Sequence, residues 1–283
     1  MEAMKNKAAV QVTYSSFYDM IRRLSVVVDE ARFILEGDKL YVRTMDPSQI
    51  AMIYEQVYAF RSGAEQKDGY FDLNVSSVFK LLDRPSKATA GQVVLLNFEG
   101  LENKKPSKPH PQPSDSQAPE HPGAWVLENA TKIEILVPGG AVLKLPLLDG
   151  ENGSPKEPNF EWGMELGVAK TELVNCLKKC NAVSTHVTFN VDFTGSEKCL
   201  GGEVVQILAR GDNGDVVIPF KTQDNDVLEK KARVVFPIEF VLGILKEFPL
   251  GVVRVSLRSD APLKLTAKSG QLRYYLAPRV ETI

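Results

Sequence analysis

The chain has 283 residues, of which 43% are hydrophobic and 25% charged, and its 34 Lys and Arg against 36 Asp and Glu leave a net charge of −2 at pH 7. This composition suits one large globular domain or two of ordinary size. It does not suit a uniformly basic nucleic-acid binder, so any contact with a polyanion requires segregated charge. No stretch approaches the roughly 18 apolar residues of a membrane-spanning helix, and the start MEAMKNKAAV lacks the apolar run of a secretory signal. Three cysteines, Cys176, Cys180 and Cys199, form no CxxC pair, which argues against a disulfide framework or a zinc site. A soluble protein of a reducing interior is expected, with no metal and no cofactor.

In chain order, the first periodic segment is a helix with Phe17, Met20, Ile21 and Leu24 on one stripe and Ser15 or Ser16 as its cap. ARFILEGDKLYVRTMD then reads as two strands around a Gly37-Asp38 turn. The second of these strands opens LYVRTMDPSQIAMI, residues 40–53. That stretch sets Met45, Ile50, Met52 and Ile53 around a polar Asp46-Pro47-Ser48-Gln49 turn. Such soft side chains fit either core filling or an adaptable surface. A second helix is predicted from Val75, Val78, Phe79 and Leu82, with Asn74 before it and Pro85 after it.

Between Asn103 and Gly123 the chain has six prolines and no Val, Ile, Leu or Phe, and this stretch reads as a disordered loop between the strands at 92–98 and 131–137. His110 and His121 lie in it without a Cys or carboxylate cluster to make a metal site. LLDGENGSPKEPNFEW, residues 147–162, reads as a connector between two halves. A third helix follows from Leu173, Cys176, Leu177 and Cys180 with Thr171 at its start. A fourth follows from Val241, Ile244, Leu245 and Phe248 between Pro237 and Pro249. Each helix is followed by β-rich runs.

The order is therefore helix then strands, four times, with two units before the connector and two after it. Short turns join the strands, so the class is α+β with antiparallel sheets. The domains are 1–146 and 162–283, joined by 147–161. Off the apolar stripes the helices carry Arg22, Arg23, Lys80, Arg84, Lys170, Lys178, Lys179 and Lys246, against fewer acidic residues. These are either solvated faces or a surface that meets phosphates without reading bases.

LYVRTMDPSQIAMI resembles the motif of the proliferating cell nuclear antigen family of sliding clamps, in which a strand runs into Met-Asp-Pro-Ser. SDAPLKL (259–265) and QLRYYLAPRV (271–280) are similar to that family's last strands and its Tyr-Tyr-Leu-Ala-Pro ending. The resemblance covers nearly all of the chain outside the proline-rich insert and the first residues, and looks closest to archaeal members. It implies a DNA clamp fold closed into a ring as a trimer, with helices inside and sheets outside. Duplex DNA would be held by topology, and the helix cations would line the hole.

The resemblance also implies a front-face pocket for short partner peptides. Met45, Gln49 and Met52 would form one wall, Pro262 and Tyr275 another, and the Ala277-Pro278 backbone would bond the peptide, with the connector 147–160 alongside. Gln49 departs from an apolar residue, and the connector lacks the apolar residues that many relatives place over the pocket. Subunit pairing would use the strands 141–148 and 202–210, with Val142, Leu143, Leu145, Val204, Val205 and Ile207. Implied partners are a clamp loader, DNA polymerase, flap endonuclease and DNA ligase, in a homotrimer or a heterotrimer. The implied place is the nucleoid-associated cytoplasm of an archaeon or the nucleus of a eukaryote.

An alternative within the same fold is one subunit of a mixed or specialised repair ring. An enzyme is disfavoured. Cys176 and Cys180 fall on a packed stripe rather than beside His186, and no triad, Walker loop or dinucleotide fingerprint occurs.

Overall fold

A computed structural model of the chain describes residues 8–62, 68–99, 130–149, 153–192, 205–212, 214–229 and 231–279. The proline-rich stretch with His110 and His121, Cys199, Val204 and part of the connector lie outside the described residues. The elements run β1 (Ala8–Thr13), α1 (Tyr14–Leu24), β2 (Glu30–Glu36), β3 (Lys39–Met45), β4 (Ala51–Ser62), β5 (Gly69–Asn74), α2 (Val75–Leu81), β6 (Val93–Glu99), β7 (Lys132–Leu136) and β8 (Val142–Pro146). They continue with β9 (Met164–Ala169), α3 (Lys170–Asn181), β10 (His186–Asp192), β11 (Val205–Gly211), β12 (Gly214–Phe220), β13 (Gln223–Val227), β14 (Lys231–Pro237), α4 (Ile238–Glu247), β15 (Val252–Leu257), β16 (Leu263–Ala267) and β17 (Leu272–Leu276). The expected fourfold unit is present as a strand, a helix and three strands, with β13 added.

The chain forms two compact units. One holds residues Met1–Thr44 and Gln56–Pro155, the other Met45–Glu55 and Lys156–Ile283. In the first unit the antiparallel strand orders are β5-β2-β3 and β4-β1-β6-β7-β8; in the second they are β13-β9-β15-β16-β17-β4 and β12-β11-β10-β14. The tight β2–β3 hairpin turns through Gly37-Asp38, with Glu36 opposite Lys39 and Gly37 at a φ of 56°. Alternation in β2, β6 and β10 buries every second side chain, as expected for sheets with one covered face.

The stripes of the helices are buried as their spacing demands: Phe17, Met20, Ile21 and Leu24 on α1; Leu173, Leu177 and Cys180 on α3; Val241, Ile244 and Leu245 on α4. Two positions differ. Cys176 is half-buried, and Phe79 turns toward the neighbouring helix, where its ring lies 6.0 Å from that of Tyr18.

The helix starts also differ from the sequence reading. α1 begins at Tyr14, before Ser15 and Ser16, and α3 begins at Lys170, before Thr171; neither has a side-chain cap. The reason is tertiary. Tyr14 N–H donates to Gln92 O at 2.8 Å, Val75 N–H to Asp29 O at 2.7 Å, Lys170 N–H to Gly251 O at 2.9 Å and Ile238 N–H to Thr185 O at 2.9 Å. Each helix thus has its first N–H bonded by the loop that follows its partner helix, so an exposed capping side chain is unnecessary. Only Asn74 caps with its side chain, accepting from Ser77 N–H at 2.8 Å. Asn74→Ala is expected to cost about 1 kcal/mol, whereas Ser15→Ala and Thr171→Ala stay within about 0.5 kcal/mol, read by chemical denaturation of the three variants.

Candidate functional site

The second unit gathers the residues of the expected pocket. The carboxylate of Asp46 organises the turn after β3: Oδ1 accepts from Ile50 N–H at 2.7 Å and Ala51 N–H at 2.5 Å, and Oδ2 from Ser48 N–H at 3.1 Å. Asp46 N–H and C=O also bond Ala51 O and Gln49 N–H, at 2.9 Å each. The turn forces Gln49 to a φ of 58°, the left-handed region, and leaves its side chain in solvent. Ile50 is exposed, and Met45 half-buried.

β4 then pairs with β17 so that Met52 stands opposite Tyr275, and β17 pairs with β16 so that Tyr275 stands opposite Lys264. Met52 and Tyr275 are both buried, while Pro262, Ala277 and Pro278 are half-buried. The tail is fastened by Ala277 N–H to Ile50 O at 2.8 Å and by Arg279 N–H to Val235 O at 2.9 Å. Here the expectation is narrowed. Ala277 N–H already has an acceptor and Pro278 has no N–H, so this stretch can offer a peptide only its carbonyl oxygens.

Residues that sequence reasoning did not single out complete the surface. Phe160, Trp162 and Tyr275 follow one another at ring separations of 5.9 and 6.4 Å, and Lys264 Nζ lies 5.6 Å from the Trp162 ring. Glu157 bridges Arg273 and the Tyr275 hydroxyl. Burial and then the Glu157 carboxylate hold the Tyr275 phenol well above the ordinary tyrosine range, so it stays protonated and donates. The density of Phe160, Glu161 and Trp162 in a connector otherwise rich in turn residues was the available signal.

The cations divide into three groups. Lys80, Arg84, Lys178, Lys179 and Lys246 are exposed on or beside α2, α3 and α4. Arg22 and Arg23 are half-buried and share Asp19, at 3.3 and 3.5 Å, so part of their charge is spent within α1. Lys170 is corrected. It is buried, and its ammonium donates to Lys246 O at 3.2 Å and to Phe248 O, at the C-terminal end of α4. Tyr14, at the matching start of α1, donates its hydroxyl to Asp83 O at 2.5 Å, just past the end of α2. Lys170 therefore ties two helices together and does not face a ligand.

The expected pairing strands also divide. Among the described residues β8 pairs only with β7 and its other side is open, with Val142 exposed and Leu143 and Leu145 half-buried. β11 is not an edge. It is paired by β10 and β12 on its two sides, and Val205 and Ile207 are buried. The open strand there is β12, with Val217 exposed. Among the described residues no group of three or more His, Cys, Asp and Glu is placed to hold a metal, and no helix is long and apolar enough to cross a membrane.

Two units, each with two helices paired on antiparallel sheets and a repeated strand–helix–three-strand order, define a two-domain clamp fold. No family model matches the chain. Curated relatives match over nearly their whole length. The DNA polymerase sliding clamp of Haloarcula marismortui is 24% identical over 268 residues, covering 92% of this chain and 93% of the relative. That of Methanococcoides burtonii is 25% identical over 277 residues, covering 93% and 95%. Sliding clamp 1 of Pyrobaculum aerophilum is 23% identical over 289 residues, covering 98% and 100%.

Among solved structures, A. fulgidus PCNA bound to the C-terminal region of FEN-1 superposes with a TM-score of 0.71 at 18% identity, covering 98% of this chain and 100% of that one. The PCNA of Thermococcus kodakaraensis superposes with a TM-score of 0.71 at 17% identity, covering 97% and 100%. In sequence the chain is thus similar to archaeal DNA polymerase sliding clamps, and in fold to PCNA.

Two outcomes test the site's geometry. Lys170→Met is expected to lower stability by about 1–3 kcal/mol by leaving α4 carbonyls unbonded, measured by denaturation and by faster amide exchange at the end of α4. Burial pushes the Cys180 thiol up to about 11, so at about pH 8 only roughly 0.1% is thiolate. In a Cys199→Ser background, maleimide should label Cys180 slowly in the native protein and at the normal rate after unfolding, as followed by mass spectrometry.

Proposed function

We infer that the protein is a DNA sliding clamp and polymerase processivity factor, each chain supplying two clamp domains to a closed ring that encircles duplex DNA. The observation that carries this reading is similarity to sliding clamps along almost the whole chain, in sequence and in fold. The helix cations support it. Lys80, Arg84, Lys178, Lys179 and Lys246 are few and exposed, which suits weak, sequence-independent phosphate contact. A ring retains DNA by topology, so weak contacts suffice and permit sliding.

Ring closure would pair the open strand β8 of one subunit with the open strand β12 of the next, covering Val142 and Val217. The two edges are antiparallel, short and apolar, and unpaired they invite aggregation. Partner proteins would dock by short apolar and aromatic peptides against Met45, Met52, Pro262 and Tyr275 in the second unit, with the carbonyls of Ala277 and Pro278 accepting from the peptide backbone. Methionine suits such a site, since its unbranched side chain adapts to different ligands. The relative bound to the C-terminal region of FEN-1 supports a flap endonuclease as one such partner, and a clamp loader, polymerase and ligase would be others. The reading assigns no catalytic step to the chain and places it with the DNA, in the nucleoid or nucleus.

The test is retention of a polymerase on circular primed DNA compared with a short linear duplex. A species of three-chain mass should prolong synthesis on the circle and much less on the open-ended template, from which a ring slides off. Equal effects on both templates would remove encirclement. A chain that stays monomeric until mixed with a related chain would point to a mixed ring. Lys178→Glu with Lys179→Glu is expected to cut stimulation several-fold, most at low salt, while peptide binding is kept. Tyr275→Ala should weaken peptide binding about tenfold or more at unchanged ring mass, by titration with labelled peptide.

A further inference from the structure

We propose that Glu157 is a positioning residue for partner binding: its carboxylate latches the connector onto β17 and holds the Tyr275 ring in its binding orientation. The inference rests on the pocket reading above and goes beyond it, because it gives Glu157 a role exerted through Arg273, Tyr275 and the connector.

The geometry is specific. The Glu157 carboxylate accepts from Arg273 Nε at 2.5 Å and Arg273 Nη2 at 2.9 Å, a two-point pairing of planar groups, and from the Tyr275 hydroxyl at 2.6 Å. Arg273 is itself fixed. Its Nη1 donates to Gly270 O at 3.2 Å, and its guanidinium lies 3.9 Å from the centre of the Tyr54 ring. The side chains of Arg273 and Glu157 are 25% and 27% exposed, so solvent weakens the pair less than an open surface pair.

These contacts leave Tyr275 little freedom. Its backbone is set by pairing with Met52 and Lys264, the Trp162 ring lies 6.4 Å from its own at a tilt of 33°, and its hydroxyl is held by Glu157. A ring ordered before binding loses no rotamer freedom when a ligand arrives, and the same holds for the connector stretch that carries Glu157. Arg273 and Glu157 lie 116 residues apart in the chain, so the latch joins connector to closing strand and not neighbours in sequence.

The test uses the full chain and a fluorescein-labelled synthetic peptide with one aliphatic residue and an adjacent Phe-Phe pair, read by anisotropy. Glu157→Ala is expected to weaken binding about tenfold and Glu157→Gln by less, with oligomer mass unchanged. Tyr275→Phe, which removes only the hydroxyl, should weaken the wild type about threefold or more yet add little in the Glu157→Ala background, since both changes break one latch. If the wild type binds and all Glu157 variants match it, or if the two losses simply add, the latch is overturned and the pocket stands. If the wild type does not bind the peptide, the pocket reading falls and takes this inference with it.

Discussion

The reciprocal bonding of helix ends is the constraint on which each unit depends. Helices of 7 to 12 residues, such as α2 and α3, are too short to persist alone in water. Each is held by an apolar stripe against a sheet and by a first N–H bonded to the loop after its partner. The bond works only when both helices and both loops are in place, so the pair forms together or not at all. Tyr14 and Lys170 add a second tie in the opposite direction, from the start of one helix to the end of the other. With their termini satisfied from within, the helices can give their outer faces to charge, and those faces are where Lys80, Lys178, Lys179 and Lys246 stand.

The candidate site in the second unit is built by a different rule. There a polar turn, neighbouring aromatic rings and a partly buried ion pair leave Ile50 and Phe160 exposed and Met45 half-buried, while Met52 and Tyr275 are buried. Asp46 fixes the backbone that carries Met45 and Ile50. Glu157 accepts from the hydroxyl of Tyr275, whose ring neighbours Trp162 and whose strand position lies opposite Met52. Charges and hydrogen bonds hold the frame around the Met and aromatic side chains.

Much of the fold was legible in order of elements. The four stripes at i, i+3, i+4 and i+7 give the four helices, and the Gly37-Asp38 turn gives its hairpin, because burial of one face leaves a periodic mark on any chain. Edge assignment was not legible. GEVVQILAR and DVVIPF are both apolar runs, and only hydrogen bonding on both sides of β11 makes β12 the open strand. Among site residues, Tyr275 and Met52 were found through the resemblance of their motifs. Glu157 and Trp162 were missed, because their roles arise from contacts with residues more than a hundred positions away.

By itself, then, the sequence determined which residues are buried, how many helices and repeats there are, and where charge is placed along the chain. Tertiary structure alone decided what each charged and capping residue does. Lys170 reads like Lys178 in the sequence, yet the end of α4 lies within reach of the first and not of the second. Ser15 and Thr171 read as caps, yet backbone carbonyls from distant loops already hold those helix starts. Periodic burial is a local property carried by spacing, whereas the partner of a polar group is whatever the folded chain brings within about 3 Å of it.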